Sequence, residues 1–258
     1  EIKTNLKKLQ SKEPIVSVVV IAHNEETRLL SCLWSLSESK CKYPMEIIGV
    51  NNNSDDQTEQ IYQAVGLPYF NELQKSCGYA RKCGLEHAKG LYYICIDSDT
   101  MYPSKYVETM VNELTKPGVV GVSSLWSYIP DKDHPWWGLK IYEFTRDSHL
   151  FFQSFKRPEL SVRGLVFAYE IEYGRKVGYR VDIIRGEDGS MALGLKQYGK
   201  IHFVRNRKAR AVTGYGTVSA DGTFFNSFKN RVLKGIKNFA SLFYSKKEYK
   251  DENTNLIK

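Results

Sequence analysis

Two aspartates one residue apart, Asp97 and Asp99, close the run Leu91-Tyr92-Tyr93-Ile94-Cys95-Ile96-Asp97-Ser98-Asp99. The apolar and β-branched part of that run, opened by Gly90, reads as a strand buried on both faces, as in a parallel sheet. Residues i and i+2 of an extended chain point the same way, so both carboxylates can converge just past the strand's end. Two anions held together repel unless something positive sits between them. A divalent cation with oxygen ligands fits there, and Mg²⁺ or Mn²⁺ commonly brings phosphates with it. An isolated D-x-D is more often a solvated polar turn, because short motifs recur by chance. A second acidic pair stands in Arg185-Gly186-Glu187-Asp188-Gly189, just before a helical apolar pattern. Its plain structural role is to sit at the positive end of the helix dipole. Its chemical role is that of a general base, taking a proton from a hydroxyl nucleophile.

The elements that must position these groups follow in order. Residues 1–14 are Lys-rich and read as an arm or short helix, and residues 15–22 as a first β-branched strand. Asn24 is placed to cap the next helix, whose apolar face is Leu29, Leu30, Leu33, Trp34 and Leu36. A strand at 46–50 follows, then a Ser54/Gln57 capping box for a helix through Val65, with Gly66 as its C-cap. A short strand is expected at 67–70, helices at 79–88 and 103–114, and a strand at 119–124. Gly164 opens a strand and helix through residue 177; a helix from Glu187 stops at Gly199, and a last strand covers 201–204. This is β-α repetition, and in open α/β sheets ligands bind beyond the carboxyl ends of the strands. Polar clusters at 23–25, 51–53 and 97–99 would then share one rim, with room for a nucleotide and a metal at one end.

Aromatic residues crowd 125–160, and the core is the default place for most of them. Trp136 and Trp137, beside a loop at 131–135, have a second reading: stacking on a sugar or closing over a site. From Phe224 onward, Phe225, Phe228, Val232, Ile236 and Phe239 can share one helix face, with Lys229, Arg231, Lys234 and Lys237 around the rest. That pattern suits a packed helix with a solvated basic face, or a helix resting on anionic lipid. The last ten or so residues read as unstructured.

The chain has 258 residues, enough for a sizeable core without staples. Its net charge of +8 suits an anionic partner: sugar nucleotide, acidic membrane or nucleic acid. No zinc pattern, Walker loop or RNA-binding aromatic signature is present, so nucleic acid is not an expected partner. The five cysteines are an odd count with no C-x-x-C pair, which points to reduced thiols and a cytosolic setting. No apolar run approaches the roughly 20 residues of a membrane span, and no secretory leader is recognisable.

Five segments together resemble the family 2-type inverting glycosyltransferases of GT-A fold. They are V-S-V-V-V-I-A-H-N-E-E, N-N-N-S-D-D-Q-T, G-Y-A-R-K-C-G-L-E-H-A-K-G, I-D-S-D-T and G-E-D-G-S-M-A-L-G-L-K-Q-Y-G-K-I, in family order over about 16–213. The resemblance implies an α/β, Rossmann-like, mostly parallel central sheet flanked by helices, with a C-terminal acceptor-side region. One domain is expected over 1–258: a nucleotide-sugar half at 15–124, a catalytic and acceptor half at 125–213, and a basic amphipathic tail at 224–258. It implies a metal-dependent enzyme using a nucleotide sugar, with a UDP-sugar favoured and Mn²⁺ or Mg²⁺ as cofactor. Asp188 would be the base, with Glu187 beside it placing the acceptor. Ala22, His23, Glu25, Asn51, Arg81, Asp97 and Ser98 would border the nucleotide, and Asp99 with Asp97 would hold the metal. Trp136, Trp137 and Gly164 would face the acceptor, a glycan or a lipid-linked precursor. The basic tail would allow peripheral contact with an anionic membrane from the cytoplasmic side.

The sequence departs from the family pattern in several places. His23 and Asn51 stand where the family often has Tyr and Asp, and Lys82 replaces an Asn common after the Arg. No Q-x-x-R-W occurs, which argues against a processive synthase. Thr213 lies near the place of a metal-binding His found in many relatives, so the metal would have fewer protein ligands and would bind together with the nucleotide. The competing reading is a non-catalytic sugar-nucleotide binder on the same fold.

Overall fold

Val16, Val18 and Val20 of the first strand pack into one hydrophobic layer, while Val19 and Ile21 pack into another on the opposite face. A strand buried on both sides needs helices above and below it, and the rest of the chain supplies them. The computed structural model describes residues 1–132, 135–214 and 255–256. In order these form α1 (Ile2–Leu9), β1 (Val16–Ala22), α2 (Leu29–Ser37), β2 (Met45–Asn51), α3 (Thr58–Val65), β3 (Tyr69–Asn71), α4 (Cys77–His87), β4 (Tyr92–Asp97) and β5 (Thr100–Met101). There follow α5 (Tyr106–Leu114), β6 (Val119–Ser123), β7 (Trp126–Tyr128), α6 (Trp136–Lys156), β8 (Phe167–Glu170), α7 (Ile171–Val177), α8 (Glu187–Leu195), β9 (Lys200–Phe203) and β10 (Ala211–Thr213).

The main sheet has seven strands in the order β3-β2-β1-β4-β8-β6-β9. β3, β2, β1 and β4 run parallel, as do β6 and β9; β8 alone is antiparallel to both of its neighbours. The expected mostly parallel α/β architecture is therefore present. A second sheet, β5-β10-β7, carries the chain back past the end of β4. Helices α1, α2, α3 and α5 contribute to one buried layer, and α4, α7 and α8 to the other. Gly66 ends α3 in the left-handed region at φ 65, as its position predicts.

Several local expectations fail for one reason. Asn24 does not cap α2, and Ser54 does not cap α3. Their side chains join the two rim loops instead. Ser54 Oγ accepts from Asn24 N at 3.0 Å and Asn24 Oδ1 from Asp55 N at 3.0 Å. Thr58 Oγ1 accepts from Glu25 N at 2.8 Å, and Asp56 Oδ2 from Glu26 N at 3.0 Å. Both loops are turned by an Asn in the left-handed region, Asn24 at φ 54 and Asn53 at φ 52. Helix α2 buries Leu29, Leu33 and Leu36, but Leu30 and Trp34 face solvent. Of the aromatic residues assigned to the core in 125–160, Trp126 and Tyr142 are buried while Phe144, Phe152 and Phe155 are exposed. The segment 224–258 lies outside the described residues except for 255–256, where Leu256 bridges Ile183 against the expectation of an unstructured end.

Beneath β4 a buried polar knot fixes the entry to the strand. Ser17 Oγ donates to Glu46 Oε1 at 2.6 Å and accepts from Gly90 N at 2.9 Å and Lys89 N at 3.1 Å. Ser17→Ala removes the partner of the buried Gly90 N–H, while Lys89 N keeps Glu46 Oε1 at 2.7 Å, and is expected to cost about 1–3 kcal/mol. A urea unfolding midpoint displaced by less than a few tenths of that stability would show the knot to be dispensable.

Candidate active site

β1, β2 and β4 lie side by side, with Ala22 paired to Asn51 and Ile21 to Asp97, so the three polar clusters come out along one rim. A cleft of about 360 Å³ opens there, bordered among others by Ala22, His23, Glu25, Asn52, Asp97, Ser98 and Asp99. Its far wall is the start of α4: Lys75, Ser76, Cys77 and Ala80. These four escaped the sequence reading. Ser76 does carry a signal, since it caps α4 by accepting from Tyr79 N at 3.2 Å. Asn51 sits just under the cleft, buried, donating to Asn71 Oδ1 at 2.9 Å; its neighbour Asn52 reaches the wall. His23 Nδ1 donates to the Asn52 carbonyl at 2.8 Å, which leaves Nε2 as an acceptor in the neutral ring.

Arg81, fully buried on α4, ties the cleft to the second acidic pair. Its Nη2 donates to Asp97 Oδ1 at 2.5 Å, and its Nε stands 3.6 Å from Asp188 Oδ1, too far for a hydrogen bond. The Arg81 Nε and Asp188 Oδ1 atoms are both buried without a hydrogen-bond partner. Gly164 lies against this pair: a Cβ there would collide with Arg81 Nη2 and Asp188 Oδ2. Its role in the structure is therefore to clear space for the two side chains, and it does not border the cleft. Trp136 and Trp137 are exposed at the start of α6 and do not border it either.

Burial sets the proton affinities. Desolvation pushes the Asp188 carboxyl up to about 7, with Arg81 opposing and Glu187 and Asp97 adding to the rise. The Asp97 carboxyl is also raised, first by desolvation, with Arg81 pulling down and Asp99 pushing up. Glu25 is raised by desolvation against the pull of Arg28, which grips it through two hydrogen bonds of 2.6 and 2.7 Å. Arg28 Nη1 also stands 3.8 Å from Asp99 Oδ2. Thr213 approaches Asp99 as its position in the chain implies, with Oγ1 3.5 Å from the Asp99 carbonyl. Lys82 points away, exposed and 3.9 Å from Glu86, so that departure does not touch the cleft. Arg163, next to Gly164, was missed: its guanidinium donates to the Leu160 and Val162 carbonyls and lies within the field of Asp188.

Among the described residues, no three His, Cys, Asp or Glu side chains converge on one point. The acids present are hard oxygen donors, and Asp97 already gives one oxygen to Arg81. Such a set suits a cation that takes one or two carboxylates and completes its shell with phosphate and water, as Mg²⁺ and Mn²⁺ do.

An open, mostly parallel sheet with an acidic cleft at its carboxyl rim is the arrangement of nucleotide-binding α/β proteins. The sequence model of glycosyl transferase family 2 matches residues 17–169, more than half of the chain, and the chain belongs to that family. An uncharacterised glycosyltransferase of Rickettsia prowazekii (strain Madrid E) is 30% identical over 105 residues, 40% of this chain and 33% of that protein. Glycosyltransferase GlyA of Streptococcus pneumoniae serotype 4 is 26% identical over 187 residues, 67% of this chain and 27% of that protein. The chain thus spans about a third or less of these relatives. The mannosyltransferase PcManGT of Pyrobaculum calidifontis, solved with GDP-Man and Mn²⁺, has a TM-score of 0.62 at 18% identity, covering 95% of this chain and 71% of that one. Glucosyl-3-phosphoglycerate synthase of Mycobacterium tuberculosis, solved with Mn²⁺, UDP-glucose and phosphoglyceric acid, has a TM-score of 0.55 at 23% identity, covering 79% and 73%. At these identities the two structures establish the shared GT-A fold.

Removing Arg81 strands two carboxylates. Arg81→Met is expected to cost about 3 kcal/mol, the low end for a broken buried pair because Asp97 opens onto the cleft. Arg81 lowers the proton affinity of both acids, so its loss raises both further. The penalty should therefore be smaller near about pH 5, where the acids can protonate, and larger near about pH 8. Denaturant unfolding at the two pH values checks this, and an equal penalty at both would refute it.

Proposed function

We propose that the chain is a metal-dependent, inverting glycosyltransferase that moves a sugar from a nucleotide sugar, with a UDP-sugar favoured, to a hydroxyl on a glycan or lipid-linked acceptor. The observation that carries this reading is Asp188: a desolvated carboxyl pushed up to about 7, joined through Arg81 to the Asp97 of the nucleotide-side cleft. A carboxylate of ordinary proton affinity is a weak base; one near 7 is well matched to accept a hydroxyl proton at neutral pH.

On this reading the nucleoside lies along Ala22, His23 and Asn52, with Asn51 holding the floor beneath them. Asp99 and the free oxygen of Asp97 would hold the divalent cation, which neutralises the leaving diphosphate when bound. Asp188 takes the acceptor proton while the acceptor oxygen attacks the anomeric carbon from the face opposite the diphosphate, so one displacement inverts the configuration. Glu187 and Arg163 flank the acceptor side. The Mn²⁺ and nucleotide sugars in the two solved neighbours support a metal-nucleotide donor, and their different nucleotides, UDP and GDP, define the first comparison to make.

Calorimetric titration of UDP and GDP, each with and without Mn²⁺, tests the donor side. One nucleotide should bind with metal, and Asp99→Asn should lose that binding; absence of binding by either would defeat the reading. Asp188→Asn should lower donor turnover about 10²–10⁴-fold while nucleotide binding persists. Turnover should rise with pH through about 7, as Asp188 loses its proton. Stability runs the other way. A carboxyl raised from 3.8 to about 7 favours the folded state at low pH, and that contribution is lost as pH rises through 7. Asp188→Asn should thus be no less stable than the parent protein at about pH 8.

A further inference from the structure

Helix α6 carries an apolar stripe on its outer face. Trp137, Ile141, Phe144, Phe152 and Phe155 recur at helical spacing, and each is at least 53% exposed. Ser148 fills the remaining turn, and its hydroxyl donates to the Phe144 carbonyl at 2.8 Å, leaving no unmet donor on the stripe. Solvent-facing rings on this scale mark an interaction surface.

The charges beside the stripe select its partner. Both acids of α6 turn inward: Glu143 meets Tyr128 N, Ser127 Oγ, Lys140 and Arg210, and Asp147 meets Arg146 and Arg210. Cations line the outer edge. The Lys140 side chain is 64% exposed, its Nζ reaching at 3.4 Å a Glu143 carboxylate that Arg210, Ser127 and Tyr128 N also hold, and Arg205 stacks 3.6 Å from the centre of the Phe151 ring. Lys140 and Phe151 are eleven residues apart, three helical turns, and so share that edge. A second copy meeting it through the same helix would bring the same cations, while the two acids of that helix are already bound inward. Among the described residues no helix is long and apolar enough to cross a membrane.

We propose that α6 docks the protein on an anionic lipid surface, with Trp137, Phe144 and Phe155 in the boundary between headgroups and acyl chains and Lys140 and Arg205 on lipid phosphates. Aromatic rings with a polar edge, such as those of Trp136 and Trp137, favour that boundary. The proposal rests on residues of α6 and on Arg205 and does not depend on the transfer chemistry, so its failure would leave the reading of the cleft intact.

The test uses the full chain carrying Trp34→Phe, which leaves Trp136 and Trp137 as the exposed tryptophans among the described residues. The protein is mixed with phosphatidylcholine vesicles, with and without phosphatidylglycerol, and with vesicles whose acyl chains are brominated. Expected results are co-sedimentation with the anionic vesicles and quenching of tryptophan emission by the brominated chains. Phe144→Glu with Phe155→Glu should weaken partitioning about tenfold or more at an unchanged melting temperature. Four results would overturn the proposal. The first is no vesicle binding. The second is binding with unquenched tryptophans, which would assign the contact to another part of the chain. The third is self-association that the double variant abolishes, which would assign the face to a second copy. The fourth is a drop of several degrees in melting temperature for the double variant, which would mean that the chain covers the face itself.

Discussion

A single buried guanidinium holds the two halves of the candidate site in register. Arg81 comes from α4, takes Asp97 at the end of β4, and faces Asp188 at the start of α8. The two acids stand at positions 97 and 188 of the chain and meet because β4 and α8 close on one arginine. The cation lowers the proton affinity of both acids, yet desolvation still wins at each. On the proposed reading that balance sets the base strength of Asp188. Without Arg81 both acids would hold their protons more tightly; with full solvation Asp188 would fall back toward an ordinary carboxyl, too weak for the base role proposed for it. Gly164 belongs to the same device, because any side chain there would occupy the space of the guanidinium and the carboxylate.

Much of this was legible in the sequence where one face or one strand decides the outcome. β1, β2 and β4 bury both faces, so their apolar runs announce them, and parallel pairing then puts residues 23–25, 51–53 and 97–99 on one rim. The errors arose where a polar side chain had two possible partners. Asn24 and Ser54 look like helix caps, but each finds a backbone group about thirty residues away and zips the two rim loops together. Spacing along the chain cannot reveal such a partner. The Arg81 ion pairs were equally hidden; family resemblance placed the residue near the nucleotide, but burial and the contact with Asp188 are properties of the packed fold. β8, at four residues, gives no direction of its own, and its antiparallel run between β4 and β6 shows only in the assembled sheet.

The aromatic segment shows the opposite failure. A core location was the default for its rings, because apolar residues at helical spacing usually face inward. In α6 the inward face does bury Leu139, Tyr142 and Leu150, and it also holds Glu143 and Asp147 bound to Arg146 and Arg210, with Arg146 stacked over Trp126 at 4.2 Å. The helix is therefore apolar on two sides: Leu139, Tyr142 and Leu150 pack inward beside its two acids, and a second set of rings faces out. A pattern of period 3.6 reports that one face is apolar but not which side that face is on.

The acidic rim places a constraint on any donor. Glu25, Asp97 and Asp99 each raise or feel the others' charge, while Arg28 and Arg81 offset only part of it. Lys75 lies in the α4 wall, so the repulsion a bare diphosphate would meet is local to Asp97 and Asp99; on the proposed reading a cation at that end removes it. Thr213 bears on that cation, because a hydroxyl beside Asp99 is a poorer ligand than an imidazole and leaves the protein short of donors for a metal on its own. Donor and metal would then bind as one unit, and Arg28, already 3.8 Å from Asp99, is placed to exchange its carboxylate partners for phosphate oxygens as that unit enters.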